Sequence, residues 1–179
     1  MSKAKPGQFN CGSGGNGSAA NLATEYFKMQ TGAAILHIPY HGTAPAVSDL
    51  MGGQIQMLCT GAPAVMGQVK SGQLRALAVS SPNRLDALPD LPTVAESGYE
   101  NFEADQWYGV VAPAGTPKEI VTKLNTQVNL ALVSPELKAR LTNEGAVASP
   151  ATPEAFGRHV VREIGRWRPV IQSGRVKVE

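Results

Sequence analysis

The sequence predicts an α/β protein built on a parallel sheet. In its first half, short strand-like segments alternate with segments of helical spacing, and polar loops that contain glycine separate each strand from the helix after it. The 179 residues are 42% hydrophobic and 17% charged, and their 19 glycines and 13 prolines provide for many tight connections. Short strands that alternate with helices are typical of βαβ units with right-handed crossovers.

The elements of the first half follow one another closely. The predicted strands are a segment ending at Cys11, then Ala34–Pro39, Gln54–Cys59 and Leu74–Ser80. The predicted helices between them are Ala20–Gln30, Ala44–Met51 and Ala64–Ser71. Each helix places apolar residues three or four positions apart, and Thr31-Gly32 gives the first helix a stop signal. We therefore expect one nearly complete sheet within residues 1–81, the ligand-binding lobe.

The second half predicts a different organisation. Residues 82–106 contain three prolines and no sustained period, so we interpret them as a linker between lobes that crosses the surface. The predicted elements after it are the strand Trp107–Ala112 and the helices Lys118–Leu132, Pro135–Asn143 and Pro153–Gln172, with Thr116, Ser134 and Thr152 as N-caps. Residues 107–179 thus form a partial, mostly helical second lobe, whose single strand lacks evident partners.

Composition and motifs exclude several classes of protein. A formal net charge of +2 and scattered basic residues argue against nucleic-acid binding. No apolar run approaches the roughly 20 residues that span a bilayer, and the amino-terminal residues contain no hydrophobic signal core. Cys11 and Cys59 lack the spacing and the histidine neighbours of a metal site, so neither metal nor cofactor is expected.

Three polar loops carry the functional prediction. GSGGNGS, YHGT and TGAP each follow a predicted strand and precede a helix, which places them at the carboxyl edge of one sheet. Helix N-termini at that edge offer unpaired N–H groups, which suit a carboxylate without any arginine. GSGGNGS is not a phosphate loop, because no GKS or GKT follows. The alternative is a flexible turn that needs glycine for its backbone conformation.

The sequence gives weaker evidence for catalytic residues than for the three binding loops. His41 lies in the loop YHGT, where it could pair with Ser13 or Ser18, but no acidic residue is placed to orient the imidazole. His37 lies within a predicted strand and is interpreted as structural, and His159 as solvent-facing.

Four segments in this order resemble the Bug-type solute receptors of tripartite tricarboxylate transport systems. They are FNCGSGGNGSAANLATEYFKMQTG, HIPYHGTAPAVSDLMGGQIQM, SGQLRALAVSSPNRLDALPDLPTVAESGY and WYGVVAPAGTPKEIVTKLN. The resemblance covers Lys5 to Glu179 and corresponds to the C-terminal part of such a receptor. It implies a type II periplasmic-binding-protein fold, with one near-complete doubly wound lobe and one truncated lobe. It also implies a periplasmic location, small carboxylate ligands and membrane transporter subunits as partners.

The resemblance also implies a set of ligand-binding residues. They are Ser13, Gly14, Asn16, Gly17 and Ser18 in one wall, Tyr40, Gly42 and Thr43 in the second, and Thr60 and Gly61 in the third. The sequence departs from the family pattern at Cys11 and at Cys59-Thr60. Both cysteines end neighbouring strands of a doubly wound sheet, so we expect them to approach each other near the site.

Three functions stay open at this point. The chain could be a carboxylate-binding module, a hydrolase-like enzyme recruited on the same scaffold, or a remnant that serves only in oligomerisation. Because the truncated lobe exposes a strand edge, we expect a homodimer that covers it.

Overall fold

The computed structural model describes residues 8–176 and shows an α/β fold. Its elements in chain order are β1 (Asn10–Ser13), α1 (Ala19–Thr31), β2 (Leu36–Pro39), α2 (Thr43–Met51), β3 (Met57–Leu58), a 3₁₀ turn (Ala62–Ala64), α3 (Met66–Lys70), α4 (Lys118–Val133), α5 (Pro135–Asn143) and α6 (Pro153–Gln172). All six predicted helices are present. Within residues 8–176, none of the helices has the length and apolar character needed to cross a bilayer.

The sheet is parallel, with β1 in the centre of the order β2-β1-β3. Cys11 is in register with His37 on one side and with Met57 on the other. The predicted alternation of strand, loop and helix is therefore confirmed for three units, and the glycine-rich segment follows the central strand.

The fourth predicted strand, Leu74–Ser80, does not join this sheet. Only Val79 forms a β-bridge, with Thr93. Its N–H donates to the Pro92 carbonyl at 3.0 Å, and its own carbonyl accepts from Val94 at 2.9 Å. The backbone groups of Val79 are thus taken by residues that follow in the chain, and the described sheet has three strands instead of the predicted four.

The predicted strand Trp107–Ala112 is also wrong for the part of the chain that the structure describes. No backbone of residues 8–176 pairs with it as a strand, and all six residues are exposed. A strand needs a neighbour for its hydrogen bonds, and local sequence cannot supply one.

The helix ends follow local signals. The Ser134 and Thr152 side chains cap α5 and α6, each of which has proline in its first turn, as predicted. At α4 the N-cap is Pro117, not Thr116, because the Thr116 hydroxyl donates to the Pro113 carbonyl instead.

Aromatic residues from three parts of the chain form the main apolar cluster. Phe102 and Ala104, both from the segment predicted as a linker, are buried against Ala23 of α1. Tyr26 stacks on Phe102 with ring centroids 4.9 Å apart, and Trp167 of α6 meets Tyr26 edge-on at 5.9 Å. Phe102 and Ala104 therefore pack into the core instead of crossing the surface.

Candidate ligand-binding site

Three loops lie at the carboxyl edge of the sheet, because its strands run parallel. We call residues 13–18, which begin at the last residue of β1, the glycine loop, residues 40–43 the second loop and residues 59–61 the third loop. The glycine loop packs directly on the second loop. A Cβ atom built on Gly14 would lie 3.4 Å from Thr43 Oγ1, and one built on Gly15 would lie 3.2 Å from the Tyr40 carbonyl oxygen. Gly15 also has a φ of 126°, so both space and backbone conformation favour glycine there.

Ser13 and Ser18 form the two ends of the glycine loop but differ in exposure. Ser13 is fully buried, and its Oγ lies 2.6 Å from His37 Nε2. Ser18 is the N-cap of α1 and accepts a hydrogen bond from the Asn21 N–H. That bond uses an oxygen lone pair, so the Ser18 hydroxyl hydrogen can still be donated to a guest.

Asn21 is a structural contributor that sequence reasoning missed. Its side chain is buried, and its Oδ1 accepts from the Gly17 N–H at 3.0 Å. The only feature of the sequence that could indicate this role is a polar residue three positions after Ser18, within the apolar face of a predicted helix. Between them, Ser18 and Asn21 fix the second half of the loop, whereas Asn16 at its tip is exposed.

The second loop begins α2 without a side-chain cap. Gly42 is its N-cap, with a φ of 112°. The N–H groups of Thr43 and Ala44 have no acceptor within the helix, and Pro45 has no N–H to offer. This helix start can therefore present two backbone donors and the Thr43 hydroxyl to an anion.

The Tyr40 hydroxyl already donates a hydrogen bond within the protein, so it is not a free donor. Its N–H donates to the Ser13 carbonyl at 3.1 Å, and its hydroxyl donates to Asp49 Oδ2 at 2.8 Å. The hydrogen bond to Asp49 raises the pKa of Tyr40. These bonds tie the second loop to β1 and to α2.

The third loop meets the second across a cleft of about 330 Å³. Thr43, Thr60, Gly61, Pro63, Ala64, Gln106 and Tyr108 line it. Gln106 Nε2 donates to the Tyr108 hydroxyl at 2.6 Å, and a Cβ on Gly61 would lie 3.0 Å from Gln106 Oε1. Gln106 carried no signal in the sequence, because it is a single polar residue in a segment without periodicity.

The structure brings together members of all three predicted walls. Gly14 lies beside Thr43, since a Cβ atom built on it would contact Thr43, and Thr43 shares the cleft with Thr60 and Gly61. His41, which was considered as a partner for Ser13 or Ser18, lies exposed on the second loop, while Ser13 bonds to His37. His159 was expected to face solvent, but it packs edge-on against Trp107 with centroids 4.8 Å apart.

The hydrogen-bond donors at the carboxyl edge of the sheet are uncharged groups. Amide N–H groups, hydroxyls and the carboxamides of Asn16 and Gln106 lie there. Among residues 8–176, no group of three His, Cys, Asp or Glu side chains is placed to hold a metal ion. Such an arrangement can solvate a carboxylate through hydrogen bonds and the partial positive charge of a helix start.

The fold is that of periplasmic binding proteins. It matches a solved structure of a periplasmic transporter with a TM-score of 0.91, at 37% identity, over 99% of this chain and 59% of that one. R. palustris Rpa4515 with adipate gives a TM-score of 0.90 at 37% identity, over 98% of this chain and 58% of that one. MatC from Rhodopseudomonas palustris with bound malate gives 0.81 at 30% identity, over 91% of this chain and 56% of that one.

The chain belongs to the tripartite tricarboxylate transporter receptor family, whose model matches residues 1–175. Protein BugT of Bordetella pertussis is 41% identical over 177 residues, which are 99% of this chain and 54% of BugT. A protein of Pseudomonas knackmussii from the clcB-clcD intergenic region is 37% identical over 163 residues, which are 90% of this chain and 96% of that protein. The predicted resemblance is thus confirmed. The family is one of binding receptors and not of enzymes, and this chain spans about half the length of BugT.

Proposed function

We propose that this chain acts as a solute-binding receptor, or as the larger part of one, for small carboxylates. The three loops would hold the acid group, and the receptor would deliver it in the periplasm to the membrane subunits of a tripartite tricarboxylate transporter. The observation that carries the proposal is the close approach of Gly14 in the glycine loop to Thr43, at the start of α2, which has no side-chain cap. Relatives of the same fold are known with adipate and with malate, which supports a dicarboxylate as the ligand class.

The proposal assigns different tasks to the predicted site residues. Asn16, Ser18, Thr43 and Thr60 would donate directly to the guest. Gly14, Gly17, Gly42 and Gly61 would let backbone approach it closely. Ser13 and Tyr40 would shape the loops, since hydrogen bonds within the protein occupy their hydroxyls.

Calorimetric titration of the chain with adipate and with malate tests the function. We expect saturable binding of at least one, and no binding of the uncharged diamide of the same acid. A chain that binds neither acid at millimolar concentration would refute the proposal for the protein in this form.

Thr43→Pro, compared with Thr43→Val, tests the backbone donor, because both variants lack the Thr43 hydroxyl and only the proline also lacks the N–H. The N–H is lost from the first helical position, where proline is well tolerated. We expect the affinity of Thr43→Pro to be about tenfold or more below that of Thr43→Val, because a hydrogen bond to a charged group contributes roughly 1.5–3 kcal/mol. Lys118→Pro is the matched control, since it makes the same change at the first position of α4, and it should leave binding unchanged.

A further inference from the structure

Ser13 and His37 make a short side-chain contact beneath the glycine loop. Ser13 Oγ lies 2.6 Å from His37 Nε2. The same oxygen lies 3.1 Å from the Gly15 nitrogen and 3.1 Å from the Gly15 carbonyl oxygen. Three polar groups thus surround one hydroxyl, which has one hydrogen to donate.

Counting hydrogens leaves one arrangement that satisfies all three contacts. The Gly15 N–H can only donate, and the Gly15 carbonyl can only accept. If the Ser13 hydrogen pointed at His37, the Ser13 and Gly15 oxygens would face each other without a hydrogen between them. If His37 Nε2 carries the hydrogen, it donates to Ser13 Oγ, and Ser13 donates to the Gly15 carbonyl.

We propose that His37 is a positioning residue of the carboxylate site, which donates from Nε2 to Ser13 and thereby directs the Ser13 hydroxyl onto the Gly15 carbonyl. This inference rests on the proposed function of the glycine loop. These hydrogen bonds extend to the start of α1, because the Gly15 carbonyl also accepts from the Ser18 N–H at 3.2 Å. His37 therefore helps to set both the turn at Gly15 and the start of α1.

The surroundings of His37 agree with a neutral donor. Burial lowers the pKa of His37, and the nearest charged groups are Glu25 and Lys28 of α1, whose opposite effects are smaller. Glu25 and Lys28 also form an ion pair with each other at 2.7 Å. If the ring gains a proton at acidic pH, it does so at Nδ1, so the Nε2 donor is kept.

The tautomer of His37 is a direct test that needs no ligand. Long-range ¹H–¹⁵N spectra of the labelled chain at pH 7.5 distinguish a hydrogen on Nε2 from one on Nδ1. We expect the Nε2–H form for His37. The Nδ1–H form would overturn the proposal, whether or not the chain binds a carboxylate.

Variants test the consequence for binding. We expect His37→Phe and Ser13→Ala each to weaken adipate binding about tenfold, and the double variant to be no weaker than either single one. His37→Gln, whose amide can donate in place of Nε2, should recover most of the affinity. Equal losses in His37→Gln and His37→Phe would contradict a donor role.

Amide hydrogen exchange separates this inference from the proposed function. In His37→Phe, the exchange of the Gly15 and Ser18 amides should become at least several-fold faster, while that of the α6 amides stays unchanged. If the wild type binds neither adipate nor malate, the proposed function fails, and exchange together with the tautomer still decides the role of His37. Unchanged exchange at Gly15 would overturn it.

Discussion

Cys11 and Cys59 lie beside the same side chain, that of Thr24. Cys11 Sγ lies 3.7 Å from Thr24 Oγ1, and the Thr24 side chain also lowers the pKa of the Cys59 thiol, against the larger effect of burial. Thr24 Oγ1 donates its own hydrogen to the Ala20 carbonyl at 2.8 Å. The two cysteines therefore approach each other, as the sequence predicted, but both are free.

The thiols should react slowly in the folded protein. Burial raises the pKa of both, and that of Cys59 to about 12. A pKa near 12 leaves roughly a thousandth of the usual thiolate, which is the reactive form. We expect an aromatic disulfide reagent at pH 8 to label the native chain far more slowly than the urea-unfolded chain. Rapid native labelling, or a disulfide formed with oxidised glutathione, would contradict this.

Gly145, which follows α5, packs against Ala62 and Met66, which follow the third loop. A Cβ on Gly145 would lie 2.6 Å from Met66 Cε and 2.9 Å from Ala62 Cβ, and its φ is 74°. Gly145→Ala should therefore combine about 1 kcal/mol of backbone strain with about 1–3 kcal/mol of overpacking. Urea unfolding measures the loss of stability.

Gly72→Ala is the control for that substitution. Gly72 has a φ of 75°, but nothing lies within 4 Å of a Cβ built on it. Gly72→Ala should therefore lose only the stability that backbone strain costs, without overpacking. Equal losses in the two variants would mean that α5 does not press on Met66 and Ala62 in solution.

The helices and the loops could be predicted from sequence because their signals are local. Ser134 and Thr152 precede prolines and bond to the N–H groups three positions on, so both helix starts are visible in a few residues. The glycine loop was likewise visible, since Ser18 begins α1 directly after it. These features depend on neighbours in the chain and not on the rest of the fold.

The wrong strands and the missed site residues depend on distant contacts. Val79 pairs with Thr93, and nothing in the apolar run Leu74–Ser80 distinguishes that pairing from one with β3. Gln106 reaches the cleft only because its segment returns beside Gly61. The bond of Ser13 to His37 likewise depends on the register of β1 against β2, which places both residues on neighbouring strands.

Stability should depend on pH through His37. Its pKa in the fold is lowered by burial, so the unfolded chain binds the proton more readily. The stabilisation is fully present above the unfolded value of about 6.5 and is lost as pH falls through the lower folded value. Urea unfolding at pH 7.5 and pH 5 should show a smaller pH dependence in His37→Gln than in the wild type. Equal pH dependence in the two proteins would contradict the assignment.

The exposed segment Trp107–Ala112 should mediate association of two copies. Tyr108, Val110 and Val111 are 86%, 75% and 82% exposed, and the segment carries no charge that would repel its symmetry mate. An unpaired extended segment with apolar side chains is a ready partner for a second strand. We therefore expect light scattering at micromolar concentration to give a dimer, and Val111→Lys to give a monomer. Leu77→Lys, at a residue 63% exposed outside this segment, should remain dimeric. A wild-type monomer throughout the micromolar range would show that the segment stays uncovered.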